Sequence, residues 1–441
     1  MKAFRSFNQR YLCRRCNPHL RHSAQSLNLS RLSSTLASSK PTNFSWFFFH
    51  NDRWGTNPEL WRSHLGDAMP PPITQAIATQ TLDMSQYPPS SAVYPYKQTE
   101  AMTSRQLLKV YWQLSKPHLS MFVILAAMSG VALSPLPTTV PVLLSTAIGT
   151  ALCSASANSL NQIQEVPFDA QMARTRGRPL VRHAISPLHA TGYAVLTGIA
   201  GPALLWTMTT PTTALLGAAN IALYAGAYTW LKRKSVVNTW VGSVVGALPP
   251  LMGWTACGGT LFPSSAHPIE IVLPSFLSAV SLDLHAIDNP LAPLALFIFM
   301  FCWQFPHFNA LSHLLRESYA QAGYRMLCVL SPTKNALVAL RYALLPIPLC
   351  SILIPLSGLT SWTFAIVSLV PNAICAEAAW RFWRNGRDKD ARRLFQHSLW
   401  YLPVMLGLMM ICKRGLDWGS WLGTQEDGED EARESSSITK A

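Results

Sequence analysis

The strongest constraint on the fold is a series of apolar runs that begins near Pro117 and continues almost to the C-terminus. Nine runs are separated by proline, glycine or charged residues. They cover approximately residues 119–136, 140–160, 187–208, 212–231, 238–257, 290–311, 335–356, 361–382 and 397–412. A helix needs roughly 17 to 25 residues to cross a bilayer, and the runs are near that length. The pattern predicts an all-α fold, a polytopic membrane bundle of nine transmembrane helices.

Composition supports a membrane protein and excludes other classes. Hydrophobic residues make up 49% of the chain and charged residues only 13%, which is not the balance of a soluble globular domain. A formal net charge of +14 would favour nucleic acid if the cations formed one soluble face, but they lie in the N-terminal segment and in short loops. The nine cysteines are scattered, so no disulfide framework is indicated. We therefore expect the lipid bilayer, and no nucleic acid, as a partner.

The N-terminal segment has the composition of a mitochondrial address. Its first acidic residue is Asp52, and arginine and serine recur before it without a long apolar core. Such a leader is typical of a transit peptide, which we assign to residues 1–40; a basic disordered tail is the alternative. Residues 41–114 are predicted to be a disordered or loosely ordered segment on the matrix side. The membrane domain is assigned to residues 115–414, and an acidic disordered tail to residues 415–441.

Loop charge predicts the orientation of the bundle. The loops after the second, fourth, sixth and eighth runs are basic, whereas those after the first, third and seventh contain no charged residue. Short loops on the cytoplasm-like side of a membrane retain Lys and Arg, so the basic loops and the N-terminus are expected on one side. An odd number of spans places the C-terminus on the other. In the mitochondrial inner membrane, the N-terminus would face the matrix and the C-terminus the intermembrane space.

A polar stretch stands at the basic-side end of the second run. Asn161, Glu165 and Asp169 are four residues apart, so in a helix they would lie along one face. Hard oxygen ligands of this kind suit Mg²⁺ that also contacts substrate phosphates. Pro167 disfavours helical geometry just before it, so Asp169 is expected beyond a kink or just past the helix end. Ordinary surface acids are the alternative, but ionisable residues at membrane depth are usually functional.

Two basic clusters lie on the same side as these oxygens. Arg174, Arg176 and Arg178 follow the polar stretch, and a second cluster occupies residues 228–234 at the end of the fourth run. Guanidinium groups bind phosphate through two parallel hydrogen bonds, so the clusters indicate a phosphate pocket. Topology signals and cations that reach the membrane interface are the alternative for both clusters.

The sixth run also ends with unusual polar residues on the basic side. Gln304 and His307 lie at membrane depth beside aromatic residues. For a single intramembrane histidine, a functional contact and an ordinary hydrogen bond both remain open. His313 follows six residues later and does not share a helix face with His307, so a paired ligand set is not expected.

Three segments, in this order along the chain, resemble a known family. They are NQIQEVPFDAQMARTRGRPL at 161–180, YTWLKRKSVVNTWVGSVVGALPPLMGW at 228–254, and WQFPHFNALS at 303–312 with AGYRM at 322–326. They resemble the UbiA family of intramembrane prenyltransferases and, within it, the haem O synthases of mitochondria. The likeness covers roughly residues 115–414 and leaves the leader and the acidic tail outside it.

The resemblance implies roles for the polar stretch and the cations. Asn161, Glu165 and Asp169 match the family's first metal-diphosphate motif, commonly NxxxDxxxD, with Glu165 in place of an aspartate. They are thereby implied to be catalytic residues that hold Mg²⁺. The implied diphosphate-binding residues are Arg174, Arg178, Lys232 and Arg233.

The second acidic motif of the family is only partly present. Ser318 stands where an aspartate is expected just before Tyr319, and Glu317 is the candidate replacement as a metal partner. The segment around His307 occupies the place of the DxxxD motif of quinone-type members. The resemblance therefore implies His307 as a catalytic, haem-side residue. Gln304 and Tyr228 are further haem-side candidates.

The implied reaction is transfer of a farnesyl group from farnesyl diphosphate to a vinyl group of protohaem IX (haem B), with addition of water, to form haem O. A haem A synthesis step for cytochrome c oxidase would follow. Prenylation of an aromatic quinone precursor is an alternative, which predicts acidic residues near position 307. A membrane carrier or channel is another, which predicts polar residues spread along a pathway, whereas here they converge at one side.

Overall fold

The computed structural model describes residues 102–274 and 288–415. Regular structure in these ranges is helical, apart from an isolated antiparallel bridge between Thr360 and Lys413. Predictions for the transit peptide, most of the segment after it and nearly all of the acidic tail lie outside the described residues. In chain order the helices are α1 (Ser104–Leu114), α2 (Pro117–Leu133), α3 (Val140–Asp169), α4 (Pro187–Met208), α5 (Pro211–Leu231), α6 (Asn238–Ala256), α7 (Leu291–Leu314), α8 (Arg316–Gln321), α9 (Leu327–Leu330), α10 (Pro332–Leu356), α11 (Thr363–Asn385) and α12 (Asp388–Ile411).

The described helices confirm an all-α membrane architecture but not the count of nine. Seven of them, α3 to α5, α7 and α10 to α12, are long and apolar enough to cross a membrane. An eighth crossing is present if the bent pair α1 and α2 forms one broken span. The remaining predicted helix, α6, is present with 19 residues. It is not one of the seven because its mean hydropathy is too low. Pro249, Pro250 and its glycines and threonines are less hydrophobic than its leucines and valines.

Helix α1 lies in the range predicted to be loosely ordered, and that prediction does not hold for its residues. The helix begins with a capping box, in which the Thr103 hydroxyl accepts from the Gln106 amide and the Gln106 side chain accepts from the Thr103 amide. Such a box satisfies amides that have no partner within the helix. Val110 and Leu114 are buried and belong to an apolar cluster with residues of the loop after α3.

The chain bends by 59° between α1 and α2. Lys116 stands at this bend with φ 48° and ψ 67°, in the left-handed region. A non-glycine residue is disfavoured there by about 1–2 kcal/mol, and Pro117 already disfavours the right-handed alternative for the residue before it. The bend lets the Lys116 side chain reach α3, as described below.

Helix α3 is 30 residues long and continues through Pro167 to Asp169. The sequence left open whether Asp169 follows a kink or lies past the helix end; in the structure it is the last helical residue. At this end of the helix, the Gln171 side chain donates to the Pro167 carbonyl oxygen at 3.0 Å, which satisfies an acceptor without an intrahelical partner. The oxygen-bearing side chains predicted to share one face therefore lie on one continuous helix.

Helix α6 lies inside the bundle, against α2 and α7. Helices α2 and α6 cross so closely that a Cβ on Gly130 would meet the Pro250 carbonyl, and one on Gly253 would meet the Ala127 carbonyl. Small residues allow such approach between helices in membranes, where van der Waals packing contributes much of the association free energy. The crossing fixes α6 next to α7, whose Phe299 is fully buried in the largest apolar cluster.

We expect Gly253→Ala to lower the thermal stability of the protein. In open space, replacement of a helical glycine by alanine stabilises by about 0.5–1 kcal/mol. At Gly253 the new methyl group would meet the Ala127 carbonyl, and overpacking costs about 1–3 kcal/mol. The unfolding midpoint in detergent measures the change. Gly407→Ala is the matched control, since nothing lies within 4 Å of the added methyl group. Equal shifts for both variants would contradict the close crossing.

Candidate active site

The polar face of α3 is buried, and each of its three side chains meets a basic side chain. Asn161, Glu165 and Asp169 are between 1% and 4% exposed. Lys116 donates from Nζ to Oδ1 of Asn161 at 2.6 Å. Lys232 donates from Nζ to Oε1 of Glu165 at 2.7 Å.

Arg178 is the third cation at this face, and it contacts both carboxylates. Its Nη1 forms an ion pair with Oδ2 of Asp169 and lies 3.8 Å from Oε2 of Glu165. Thr175 positions the loop that carries it, because its hydroxyl donates to the Asp169 carbonyl oxygen at 2.9 Å and its carbonyl accepts from the Arg178 amide at 2.9 Å. Arg178 thus holds the end of α3 and its following loop together.

The other predicted cations are placed differently. The side chain of Arg174 is exposed and forms no ion pair with the described part of the chain. Arg233 stacks its guanidinium on Phe168, 5.2 Å from the ring centroid. The structure therefore brings Arg178 and Lys232 to the carboxylates, with Arg233 beside them, and leaves Arg174 outside this contact.

Helix α5 contributes to the site through a π-helical turn over Leu223–Tyr228. Asn161 donates from Nδ2 to the Thr229 hydroxyl at 3.0 Å, and that hydroxyl donates to the Tyr224 carbonyl oxygen at 2.8 Å. Gln164 donates to the Ala225 carbonyl oxygen at 2.8 Å. A π turn changes which carbonyls are satisfied within the helix and is frequent at functional sites. Here Gln164 of α3 and Thr229, the residue that follows the turn, bond two of its carbonyl oxygens.

Lys232 remains a cation in this setting. Burial is the largest single influence and lowers its pKa, but several opposing influences, of which the Glu165 carboxylate is the strongest, together hold the pKa well above its ordinary value. The ammonium group also lies 4.5 Å from the centroid of the Tyr228 ring, an attractive cation–π position. The backbone amide of Arg325 donates to the Lys232 carbonyl oxygen at 2.9 Å, which ties the segment after α8 to the same residue.

An apolar cap adjoins the buried face. Tyr319, Tyr324 and Met326 form one buried cluster with Met172, and the ring of Phe168 lies 5.3 Å from that of Tyr324. Burial raises the pKa of Tyr324, so its hydroxyl stays protonated. Phe168 directly precedes Asp169 in the chain, so the cap adjoins the end of α3 that carries this carboxylate.

The structure does not bring Glu317 to this site. Its side chain is exposed on α8 and makes no hydrogen bond or ion pair with any described residue. The neighbouring Tyr319 points into the cap instead. On a helix, two positions that are two apart face different directions, so burial of Tyr319 leaves Glu317 turned outward.

Two of the three haem-side candidates, Gln304 and His307, lie on different faces of α7. Gln304 donates to the Ser243 carbonyl oxygen of α6 at 2.9 Å, whereas His307 faces α12. Nδ1 of His307 lies 2.9 Å from the Ser398 hydroxyl, and that hydroxyl donates to the Phe395 carbonyl oxygen at 2.7 Å. No contact joins His307 to the carboxylates among the described residues. Tyr228, the third candidate, lies against α6 beside Lys232.

Three site residues were not assigned a role from the sequence: Lys116, Tyr224 and Thr229. In the sequence, Lys116 belongs to the basic segment before the first apolar run. Its role could have been predicted. Lys116 directly precedes Pro117, which begins a membrane helix, so it is expected at the same membrane depth as the acidic side chains of α3. Thr229 offered no comparable signal, since threonine is common in membrane helices at packing positions.

The oxygen set on α3 fits Mg²⁺ in a particular way. The described residues contain no group of three His, Cys, Asp or Glu side chains that could enclose a metal ion. Asn161, Glu165 and Asp169 instead supply one amide and two carboxylate oxygens along one face. Mg²⁺ usually keeps several waters and binds through one or two carboxylates plus substrate phosphates. The set therefore fits a magnesium ion that is shared with a phosphate-bearing substrate.

Comparison with known sequences identifies the proteins to which this arrangement belongs. Residues 120–400 match the model of the UbiA prenyltransferase family, which is more than half of the chain. The chain belongs to the UbiA prenyltransferase family. The resemblance stated from the sequence motifs is confirmed at this level.

The chain is similar to several proteins called mitochondrial protoheme IX farnesyltransferase. One from Yarrowia lipolytica is 44% identical over 72% of this chain and 64% of its own length. One from Emericella nidulans is 36% identical over 93% and 89%, and the human one is 44% identical over 68% and 62%. The chain thus spans slightly less than two thirds of the length of the Yarrowia and human relatives.

A solved structure concerning digeranylgeranylglyceryl phosphate synthase in membranes shares the fold of this chain. It has a TM-score of 0.53 at 14% sequence identity, and the match covers 69% of this chain and 98% of that one. At this identity the likeness supports the helical membrane fold of the family.

The ion pair of Glu165 with Lys232 gives a prediction about stability. Glu165→Gln should lower the unfolding midpoint in detergent, because it leaves Lys232 charged without its carboxylate, and loss of one partner of a buried pair costs about 3–5 kcal/mol. The double variant with Lys232→Met should recover much of the loss. Glu377→Gln is the control, since its pair with Arg381 is half exposed and such pairs contribute about 0–1 kcal/mol. Additive effects of the two site substitutions would contradict the coupling.

Proposed function

We propose that this protein transfers a farnesyl group from farnesyl diphosphate to a vinyl group of protohaem IX, with addition of water, and thereby forms haem O. The observation that carries the proposal is the buried face of α3, where Lys232 and Arg178 converge on Glu165 and Asp169. The names of the relatives from Yarrowia lipolytica, Emericella nidulans and human support the haem substrate. Membership of the UbiA family supports prenyl transfer.

The first chemical demand of the reaction is charge on the departing diphosphate. When the allylic C–O bond breaks, the electron pair stays with the diphosphate, and fixed cations at the leaving group stabilise that charge. Lys232 and Arg178 are the innermost cations, while Arg174 and Arg233 are proposed to attract the diphosphate from outside. Bound Mg²⁺ supplies Lewis-acid neutralisation of phosphate oxygens; the residues that would hold it are Asn161, Glu165 and Asp169.

The second demand is control of water around the carbocation. The vinyl electron pair of haem attacks the allylic carbon, and the new cation next to the porphyrin takes up water, which then releases a proton. The cap of Tyr319, Tyr324 and Met326 is proposed to keep water from the first cation. His307 is the proposed contact on the haem side together with Gln304, and His307 and Tyr228 are the candidates for directing the water.

The proposed location is the mitochondrial inner membrane. The names of the relatives support a mitochondrial protein, and the apolar helices support a membrane protein. The basic loops after α3, α5 and α11 are proposed to face the matrix, with the diphosphate site among them. A haem A synthesis step would take up the product.

A direct assay tests the proposed reaction. The purified protein, incubated with farnesyl diphosphate, Mg²⁺ and haem B, should give a more hydrophobic haem that chromatography and mass spectrometry identify as haem O. Omission of farnesyl diphosphate is the control for haem degradation. A parallel reaction contains hydroxybenzoate in place of haem. Prenylated hydroxybenzoate together with unchanged haem would overturn the proposal in favour of a quinone-type enzyme.

Asp169→Asn tests the role of the α3 face in the reaction. The substitution keeps the shape of the side chain but removes the charge that meets Arg178, and we expect turnover to fall by roughly 10²- to 10³-fold, as for loss of one preorganised electrostatic contact. Initial rates of haem O formation measure it. Glu317→Gln is the matched comparison and should stay within about threefold of the parent, because an exposed side chain without contacts contributes little. If Glu317→Gln lowered turnover more than Asp169→Asn does, the metal would be assigned to Glu317 instead.

A further inference from the structure

A second charged site lies away from the proposed active site, on the exterior of the α11–α12 hairpin. The turn between these helices forms a hollow of about 450 Å³. It is lined by Arg381, Asn385, Arg387, Lys389, Asp390 and Arg393. Gly386 shapes the turn, because its φ of +64° is readily adopted only by glycine. None of these residues takes part in the contacts of the α3 face.

The hollow retains an excess of positive charge. Its one carboxylate, that of Asp390, is already bonded by Asn385 at 3.1 Å and by Arg387 at 2.9 Å. Lys389 and Arg393 form no ion pair with any described residue. The first-turn amides of the 24-residue helix α12 lie at the same place, and helix N-termini attract anions. The hollow is therefore built for an anionic group such as a phosphate.

Both helices continue from the hollow as outward stripes that change from cationic to apolar. The positions are spaced by three or four residues, so each set shares one helix face. They are Val370, Ile374, Glu377, Arg381 and Asn385 in α11, and Arg393, His397, Trp400 and Val404 in α12. Val370 is 65% exposed and Val404 is 40% exposed. In a membrane these apolar ends lie against acyl chains, below the charged hollow.

We propose that this hollow binds the headgroup of an anionic phospholipid, with the acyl chains along the two stripes. A basic pocket between membrane helices, open to the lipid side, is the arrangement that recognises such headgroups. Trp400 strengthens the assignment, because it donates to His397 at 3.1 Å and tryptophan is enriched at the level of the headgroups. A soluble anion would gain nothing from the exposed apolar stripes.

The hollow is connected to the end of α7. Asp388, between two lining residues, accepts a hydrogen bond from Arg316 at 2.7 Å. Arg316 begins α8, whose Tyr319 is buried in the cap next to the α3 face. A bound lipid that orders the turn would therefore also stabilise the segment that carries the cap, so lipid binding should raise the thermal stability of the whole protein.

The test compares two charge-reversed variants of the full chain. Lys389→Glu with Arg393→Glu changes two lining residues of α12. Arg384→Glu in α11 with Arg392→Glu in α12 changes the net charge by the same amount without altering a lining residue. Cardiolipin and phosphatidylglycerol are the probes, added to protein in detergent that contains phosphatidylcholine. Native mass spectrometry measures lipid retention, and the unfolding midpoint measures stabilisation.

We expect the lining variant to retain anionic lipid at least roughly tenfold less well than the parent, and the control variant to retain it almost unchanged. Lys389→Arg with Arg393→Lys should keep full retention, because the charge is preserved. Should the lining variant fail to fold, Lys389→Gln alone must weaken retention by about threefold.

Three results would overturn the assignment. Equal losses in the lining and control variants would show a general charge effect. Equal stabilisation by phosphatidylcholine alone would show that the headgroup charge is irrelevant. Displacement of the lipid by haem B at equimolar amounts would assign the cations to the haem carboxylates instead.

Discussion

The neutralisation of buried carboxylates is the interaction on which the rest of this structure depends. Ionised groups inside a membrane protein are expensive unless they are paired, and α3 carries two of them together with an amide. Their three partners come from three separate parts of the chain: Lys116 from the bend between α1 and α2, Arg178 from the loop after α3, and Lys232 from the end of α5. Each charge contact therefore also fixes the end of a helix.

The local irregularities of the fold are consistent with this requirement. The left-handed backbone of Lys116 and the π turn of α5 are both unfavourable in isolation, and each places a polar group at the α3 face. The segment that carries the cap is also tied to this face, because the Arg325 amide donates a hydrogen bond to the Lys232 carbonyl oxygen. These two irregularities therefore serve the α3 face, whereas the left-handed backbone of His183 and a second π turn in α10 take no part in its contacts.

Much of the fold was predictable from the sequence, because hydrophobic run length and the alternation of loop charge report directly on the membrane. The count of nine is not confirmed, because α6 is not among the described helices that are clearly apolar enough to span; its glycines serve close packing against α2. At the site, the spacing of Asn161, Glu165 and Asp169 predicted the shared face. Their partners were harder to predict: Lys116 is 45 residues away and Thr229 is 68. The outward position of Glu317 was not predictable, because a motif position does not reveal which way a short helix turns.

One hydrogen bond of His307 determines which form its ring takes. A serine has a single hydroxyl proton, and that of Ser398 lies within reach of both the Phe395 carbonyl oxygen and Nδ1 of His307. When the carbonyl takes this proton, Ser398 accepts from Nδ1 of a neutral His307, and Nε2 holds the lone pair. When the proton turns to Nδ1, Nε2 carries the ring proton instead. Rotation of one hydroxyl on α12 therefore switches the other side of the His307 ring between a Lewis base and a hydrogen-bond donor.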